Sequence, residues 1–474
     1  MSDQLWLFLL LGAVQLWTVL MAIKLEYKQS SVVIFFWIAN LAVYAIPFLF
    51  IDPWLQNIDF RIGTMPHAAN VTVCDNPAVL NCAVFAISFN VLYLIARTMT
   101  KFNGIIETPG TWLIYLRNSD AVSRITPILM LGLVIGCGMA VLSIVLTAGL
   151  QGMLSASYGS FRLDANPYLK LVGYTLCSCS SSVIFILLAR KQYLNLLFCT
   201  VCVLFIFLLG RTRQLLLPSM IPFAFYFLYK AKGLKGKLGL ILLAAFSYLL
   251  FLLLQQMRYR GGMVDCVASL GTYQLYEDVW LALFDGKGEL LPRGVYYWYM
   301  DYGHELEGFG QGLTYKRLLM LPIPSALCFG LKPADFTGIM YHDFYRDTGD
   351  VSPSIHPLLY GDAYTNLSWY GVLLGVLWAG LVSFSEHFAH RCSRIINIVL
   401  VPILGLASLM IARGAIYNSC ATIFWSCAIV TTVHIFFYSK ASALKDDNGN
   451  HLNRGAHTKF ESSVNLLSSK VVEQ

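Results

Sequence analysis

QQMRYRGG (Gln255–Gly262) opens, and SPSIHPLLYGDAYTN (Ser352–Asn366) closes, the stretch Met257–Asn366, whose reading decides the fold. It lies between two long apolar segments, Leu238–Gln256 and Leu367–Phe384. It alone is too polar and too rich in Pro and Gly to sit in lipid. Outward from it, nearly everything reads as membrane. Of 474 residues, 57% are hydrophobic and 12% charged, whereas soluble domains carry roughly 25% charged residues. The formal charge of +7 first sets orientation in a multispan protein and implies no nucleic-acid partner.

A hydrocarbon core of ~30 Å takes about 20 apolar residues in a helix. The segments that approach this are Leu5–Ile23, Ser31–Ile51, Ala78–Ala96, Ile125–Gly149, Leu171–Ala189, Tyr193–Gly210, Gln214–Tyr229, Leu238–Gln256, Leu367–Phe384, Ile395–Ala412 and Ala421–Tyr438. The expected fold is an all-α polytopic membrane protein with about 11 (10–12) transmembrane helices, since backbone in lipid must satisfy its own hydrogen bonds. The chain then has four regions: membrane helices over 1–256, one large loop with short helices over 257–366, further membrane helices over 367–438, and a polar, disordered tail over 439–474. Leu5–Ile23 is as long as a full span and lacks a basic leader region, so it reads as the first helix rather than a signal peptide.

Lys and Arg in the short loops number 14 on one side and 6 on the other, leaving out the long loop. The richer side is cytoplasmic, which places the Met257–Asn366 loop and the N-terminus outside and the tail inside. Most cysteines, including the pairs Cys177/Cys179 and Cys199/Cys202, lie in apolar runs and read as small hydrophobes. Asn70-Val-Thr72 and Asn366-Leu-Ser368 match a glycosylation pattern that carries no meaning in a bacterium.

Arg211 and Arg213, in GRTRQ between two spans, lie on the side that charge bias should strip of arginine. Anchoring at headgroups is one reading. The other is an anionic substrate, because each planar guanidinium can grip two oxygens of a diphosphate. Arg258 and Arg260 (MRYRGG), Arg317 (TYKRLL) and Arg413 (IARGA) add cations at the same face. The loop as a whole is not basic, with 13 Asp+Glu against 8 Lys+Arg. His356 and Asp362 in SIHPLLYGD can take a proton from a hydroxyl if suitably tuned, or can serve a turn and a helix cap. Trp298, Tyr360 and Tyr364 stand for a dense set of loop aromatics that suit either a membrane interface or sugar faces. The loop holds no Asp-x-Asp, no HExxH and no Gly-rich phosphate loop, so neither a metal nor a nucleotide cofactor is expected.

Three motifs carry a resemblance: GRTRQLLLPS (Gly210–Ser219), LTYKRLLMLPIPSALCFGLKP (Leu313–Pro333) and VSPSIHPLLYGDAYTNLSWYGVLLG (Val351–Gly375). The layout and motifs resemble the Wzy-type oligosaccharide repeat-unit polymerases of bacterial O-antigen and capsule assembly. Where that family often has Asn-x-Gly, this chain has Asn366-Leu-Ser368. The resemblance implies a GT-C-like glycosyltransferase at the periplasmic face of the inner membrane. It would polymerise undecaprenyl-diphosphate-linked repeat units without cofactor, with membrane lipids and a chain-length regulator as further partners. The six arginines would hold the diphosphate, His356 or Asp362 would handle the acceptor hydroxyl, and Trp298, Tyr360 and Tyr364 would meet sugar. An O-antigen ligase is the nearest enzymatic alternative, and a transporter or flippase of lipid-linked glycans the alternative of another class. Transporters usually show internal repeats and polar residues within spans, and the polar mass of this sequence lies in one loop.

Overall fold

The structure, a computed structural model, describes residues 3–54, 76–100, 109–155, 166–210, 213–230, 263–284, 291–323, 327–345, 355–391 and 394–446, with scattered positions between 233 and 257. The described residues are helical, with no strand among them. Five helices are long and apolar enough to cross a membrane: Gln4–Lys28, Pro77–Met99, Asp120–Leu150, Tyr168–Ala189 and Leu358–His387. Shorter apolar helices cover Ile34–Phe50, Tyr193–Phe207, Leu216–Tyr229 and Ile396–Ala412. This is a multi-pass membrane protein. Each expected span has its helix except Leu238–Gln256, most of which lies outside the described residues.

Helix α1 (Asp3–Lys28) is continuous. Helix α2 (Ile34–Phe50) widens to a π-helix over Leu41–Ala45, just before Pro47. Proline lacks an N–H and crowds the carbonyl four residues back, so a widened turn there relieves the clash. Helix α3 (Pro77–Met99) starts on Asn76, whose side chain caps the Ala78 amide at 2.8 Å. A short helix, α4 (Pro109–Asn118), precedes α5 (Asp120–Ser155), which kinks at Gly149, where φ is 70°. Helix α5 packs closely on α6 (Pro167–Ser180) because glycines face one another: a methyl on Gly173 would lie 2.8 Å from the Gly136 carbonyl oxygen. Small residues at such contacts let membrane helices approach. Beyond α7 (Ser182–Ala189), α8 (Tyr193–Gly210) and α9 (Arg213–Lys230), the loop contributes α10 (Met263–Ala268), α11 (Tyr273–Phe284), α12 (Leu291–Tyr302), α13 (Leu313–Leu319) and α14 (Phe336–Tyr345). Then come α15 (Leu358–Leu367), α16 (Leu374–Arg391), α17 (Arg394–Ala412) and α18 (Ile416–Asp446).

The molecule divides into two units, 1–426 and 427–474. Helix α18 continues to Asp446, past Ser439, where the sequence predicts an irregular tail; residues from 447 lie outside the described set. Within the first unit, the basic helix ends meet as alternating spans require. Tyr27 of α1 stacks on Tyr229 of α9 at 4.9 Å, and Arg97 of α3 bonds Glu26 of α1 and Glu386 of α16. The Arg190 guanidinium donates to the Leu116 and Ser119 carbonyls at 3.0 and 2.7 Å. We call this the basic end and its opposite the loop end.

Part of the loop is not a separate body, because its helix α12 is sewn into the membrane core. Tyr296 donates to the Cys82 carbonyl of α3 at 2.9 Å, and Tyr297 donates to Asp52, just beyond α2, at 2.6 Å. Between α15 and α16 the chain turns at Ser368, with φ 52° and ψ −145°, a region that glycine alone visits freely. Ser368→Gly is therefore expected to stabilise the protein by about 1 kcal/mol, the relieved strain exceeding glycine's entropic penalty. A thermal melt in detergent checks this, and a lower midpoint would oppose it.

Candidate functional site

The loop end brings together the two stretches LTYKRLL and HPLLYGDAYTN. Helix α15 ends with carbonyls that have no partner in their own helix. The backbone amides of Gly310 and Gly312 take two of them, from Thr365 and Asn366, at 2.9 and 2.8 Å. Gly312, at φ 67°, then starts α13. The first turn of α13 is locked to α15 by side chains. The Thr314 amide donates to Asn366 Oδ1 at 2.9 Å, and Asn366 Nδ2 donates back to Thr314 Oγ1 at 3.1 Å. The Thr314 and Tyr315 hydroxyls donate to the two oxygens of Asp362 at 3.3 and 3.1 Å. Burial pushes the Tyr315 phenol well above its ordinary pKa, and the neighbouring Asp362 carboxylate adds to the shift.

This lock aims the far turn of α13 at the start of α18. The Arg317 guanidinium lies over the Tyr417 ring, 4.6 Å from its centroid, and Nη1 donates to the Pro333 carbonyl at 2.9 Å. Its Nε is buried without a hydrogen-bond partner. Lys332 Nζ lies 5.9 Å from the same ring and donates to the Ile323 carbonyl at 3.0 Å. Beside these two cations the chain exposes large apolar side chains: Leu319, Leu327, Phe329 and Leu331 are 84%, 62%, 90% and 74% exposed. Adjacent cations and exposed hydrocarbon suit a ligand with an anionic head and an apolar tail.

Arg413 enters from α17. Its backbone carbonyl accepts the Leu358 amide at 3.1 Å, which pins the His356-Pro357-Leu358 turn. Leu358 itself is held at φ 61°, and Gly414 at φ 94° packs so that an added methyl would lie 2.7 Å from the Leu358 carbonyl oxygen. The Arg413 side chain is half-buried; burial lowers its pKa, yet arginine starts so far above neutrality that it stays charged. His356, also half-buried, sits at the head of this turn. Gly414→Val is expected to push the turn off Arg413 and remove most activity while the membrane helices stay folded. Circular dichroism beside a turnover assay checks this, and full activity would refute the pinning role.

The other expected site residues divide. Asp362 is fully buried, and both of its oxygens accept hydrogen bonds from α13. Such a carboxylate holds α13 in place. Tyr360 is also fully buried, donating to Asn90 Oδ1 at 2.7 Å against the rings of Tyr44 and Phe89. Trp298 is 9% exposed and lies on Tyr302 at 4.6 Å. Neither presents a face to sugar: the interior of the bundle, not a surface, selected these rings. Tyr364 is half-buried among Phe85, Phe309 and Trp369. Arg211, Arg258 and Arg260 lie outside the described residues, as does the side chain of Arg213.

Sequence reading missed Thr314, Tyr315, Asn366, Lys332 and Tyr417 as parts of the assembly. The Arg413-Gly414 pair ahead of Tyr417 was the available signal for the last, since a glycine turn between two spans fixes the start of the second span. No metal-binding group of His, Cys, Asp or Glu occurs among the described residues. Compared with known proteins, the chain matches no family model, no curated protein and no solved structure.

Proposed function

We propose that the protein is a membrane glycosyltransferase that extends a glycan carried on a polyprenyl diphosphate. It would polymerise undecaprenyl-diphosphate-linked repeat units into O-antigen or capsular polysaccharide on the outer face of the inner membrane. One observation carries this reading: the two motifs that resemble the polymerases, separated by dozens of residues, dock side chain to side chain at the loop end.

The chemistry is a displacement at the anomeric carbon. The acceptor hydroxyl oxygen forms the new bond to that carbon, and the bond to the diphosphate oxygen breaks. The acceptor proton leaves to a base or solvent, and the lipid diphosphate departs with the bonding electron pair. Arg317, with Lys332 beside it over the same Tyr417 ring, and Arg413 at the turn ahead of that tyrosine would supply positive charge for that leaving group. The exposed Leu319, Phe329 and Leu331 would rest in the lipid leaflet next to the carrier's hydrocarbon. His356, two residues before the Leu358 amide that bonds the Arg413 carbonyl, would take the acceptor proton; Asp362 would act as a positioning residue.

Deleting the gene is expected to leave lipopolysaccharide or capsule with one repeat unit at most, seen as collapse of the long-chain ladder on a gel. A ladder that persists in a strain without a second polymerase would overturn the proposal.

A further inference from the structure

The N-terminal helices carry a second polar system that the loop-end site does not use. Along α1, Gln15, Thr18 and Glu26 fall on one face; along α2, Trp37, Asn40 and Tyr44; along α3, Asn90, Tyr93 and Arg97. All nine are 0–1% exposed. Their spacings of three, four, seven, eight and eleven residues bring each set to one side of its helix, and in the bundle the three stripes face one another.

At the basic end, Arg97 Nε donates to Glu26 Oε1 at 3.0 Å, its Nη2 bonds Glu386, and Tyr93 donates to Glu26 Oε1 at 2.6 Å. Two carboxylates share one guanidinium, and Glu386 also lies against the Ser31 hydroxyl. Toward the middle, the Trp37 ring lies against Tyr93, 4.7 Å between centroids. Asn90 Nδ2 donates to Thr18 Oγ1 at 3.1 Å and to Gln15 Oε1 at 3.3 Å, and Asn90 Oδ1 accepts from Tyr360. Both amide atoms of Asn40, Nε2 of Gln15 and the hydroxyl of Tyr44 are buried without a well-formed hydrogen bond, although the Gln15 and Asn40 amides both reach toward the Tyr360 hydroxyl. At the loop end, Asp52 holds Arg293 at 2.6 Å and accepts from Tyr297 at 2.6 Å, while Arg293 Nε and Nη1 are buried and unpartnered. From Arg97 to Cys82, whose carbonyl accepts from Tyr296, α3 rises by about 22 Å.

Buried polar atoms are nearly always bonded to protein or to ordered water, and a polar site with several partners holds water where an apolar one stays dry. Apolar residues would fill a merely structural helix contact without stranding these atoms. Ionisable groups inside a membrane bundle mark ion or proton pathways. We propose that this column is hydrated and relays protons between the Glu26–Glu386 pair at the basic end and Asp52 at the loop end. A proton taken up by a carboxylate at one end passes along water and the Tyr93, Tyr360 and Tyr44 hydroxyls, with the Asn90 amide orienting its neighbours, and another leaves at the far end. Lys24, Lys28 and Arg391 lie near one mouth in sequence and Arg293 lines the other. The burial that raises the pKa of Asp52, against the pull of Arg293, suits a group that exchanges protons. The relay is independent of the glycosyltransferase reading.

The test uses the full chain reconstituted in phosphatidylcholine–phosphatidylglycerol vesicles with a trapped pH dye, potassium and valinomycin removing the membrane voltage. Wild-type vesicles should dissipate an imposed pH step faster than vesicles without protein. Asn40→Leu, which fills the middle of the column, should abolish the difference, and Tyr360→Phe, which removes one hydroxyl with little change of shape, should slow it. Trp17→Leu, on the 59% exposed outer side of α1, should leave it intact. Monodisperse elution checks folding, and if Asn40→Leu fails it, Tyr360→Phe decides. Wild-type vesicles no leakier than empty ones, or a folded column variant that conducts like wild type, would overturn the relay.

Discussion

Arg317→Lys and Arg413→Lys, made singly, are each expected to slow chain extension by about 100- to 1000-fold, roughly 2.7–4 kcal/mol of transition-state stabilisation, with the protein still folded. Lysine keeps the charge but loses the planar fork that grips two oxygens of a diphosphate at once. Arg317 is held in place: its plane is steadied on Tyr417 at 4.6 Å, one nitrogen is fixed to the Pro333 carbonyl, and Nε is buried. If the arginines served only as interfacial anchors, lysine would snorkel equally well and activity would survive. Turnover of lipid-linked repeat units by each purified variant distinguishes the two, and near-wild-type rates in both would return these residues to anchoring.

Asp362 gives the second large effect. Asp362→Ala leaves the Thr314 and Tyr315 hydroxyls without their acceptor in a buried place, at about 1–3 kcal/mol for each unsatisfied group. Helix α13 should loosen from α15 and take Arg317 with it, so stability and activity fall together. Asp362→Asn separates positioning from proton transfer. Its amide oxygen still accepts one of the two hydroxyls, so a lock predicts partial activity with a lowered melting temperature. A catalytic base predicts near-complete loss with the melting temperature unchanged. Measuring both quantities on the same preparation decides, and the second pattern would return Asp362 to the chemistry.

The spans were legible because their physical requirement is simple: about 20 apolar residues close their own hydrogen bonds in lipid. Arg317 and Arg413 stood out in the sequence as arginines of the long loop and of a span end. Facing was harder. Tyr360 and Tyr364 are four residues apart on one helix, yet the first is fully buried against Tyr44 and Phe89 while the second is half-buried. Only the neighbouring helices determine that difference. The Asp362 lock joins residues 47 and 48 apart in the chain, Tyr315 and Thr314, a pairing no local pattern announces. Glu26 and Arg97 stand near the ends of two spans, and their bond joins residues 71 apart in the chain. The polar stripe Asn90, Tyr93, Arg97 did carry a helical period, but the apolar turns around it masked the signal.

The central claim is that the loop end transfers a glycan from a lipid diphosphate. Purified protein in detergent or nanodiscs, given undecaprenyl-diphosphate-linked repeat units and no nucleotide sugar, should yield a ladder of extended glycans and free lipid diphosphate, resolved by gel and mass spectrometry. Repeat units that stay unextended with folded, monodisperse protein would contradict the account.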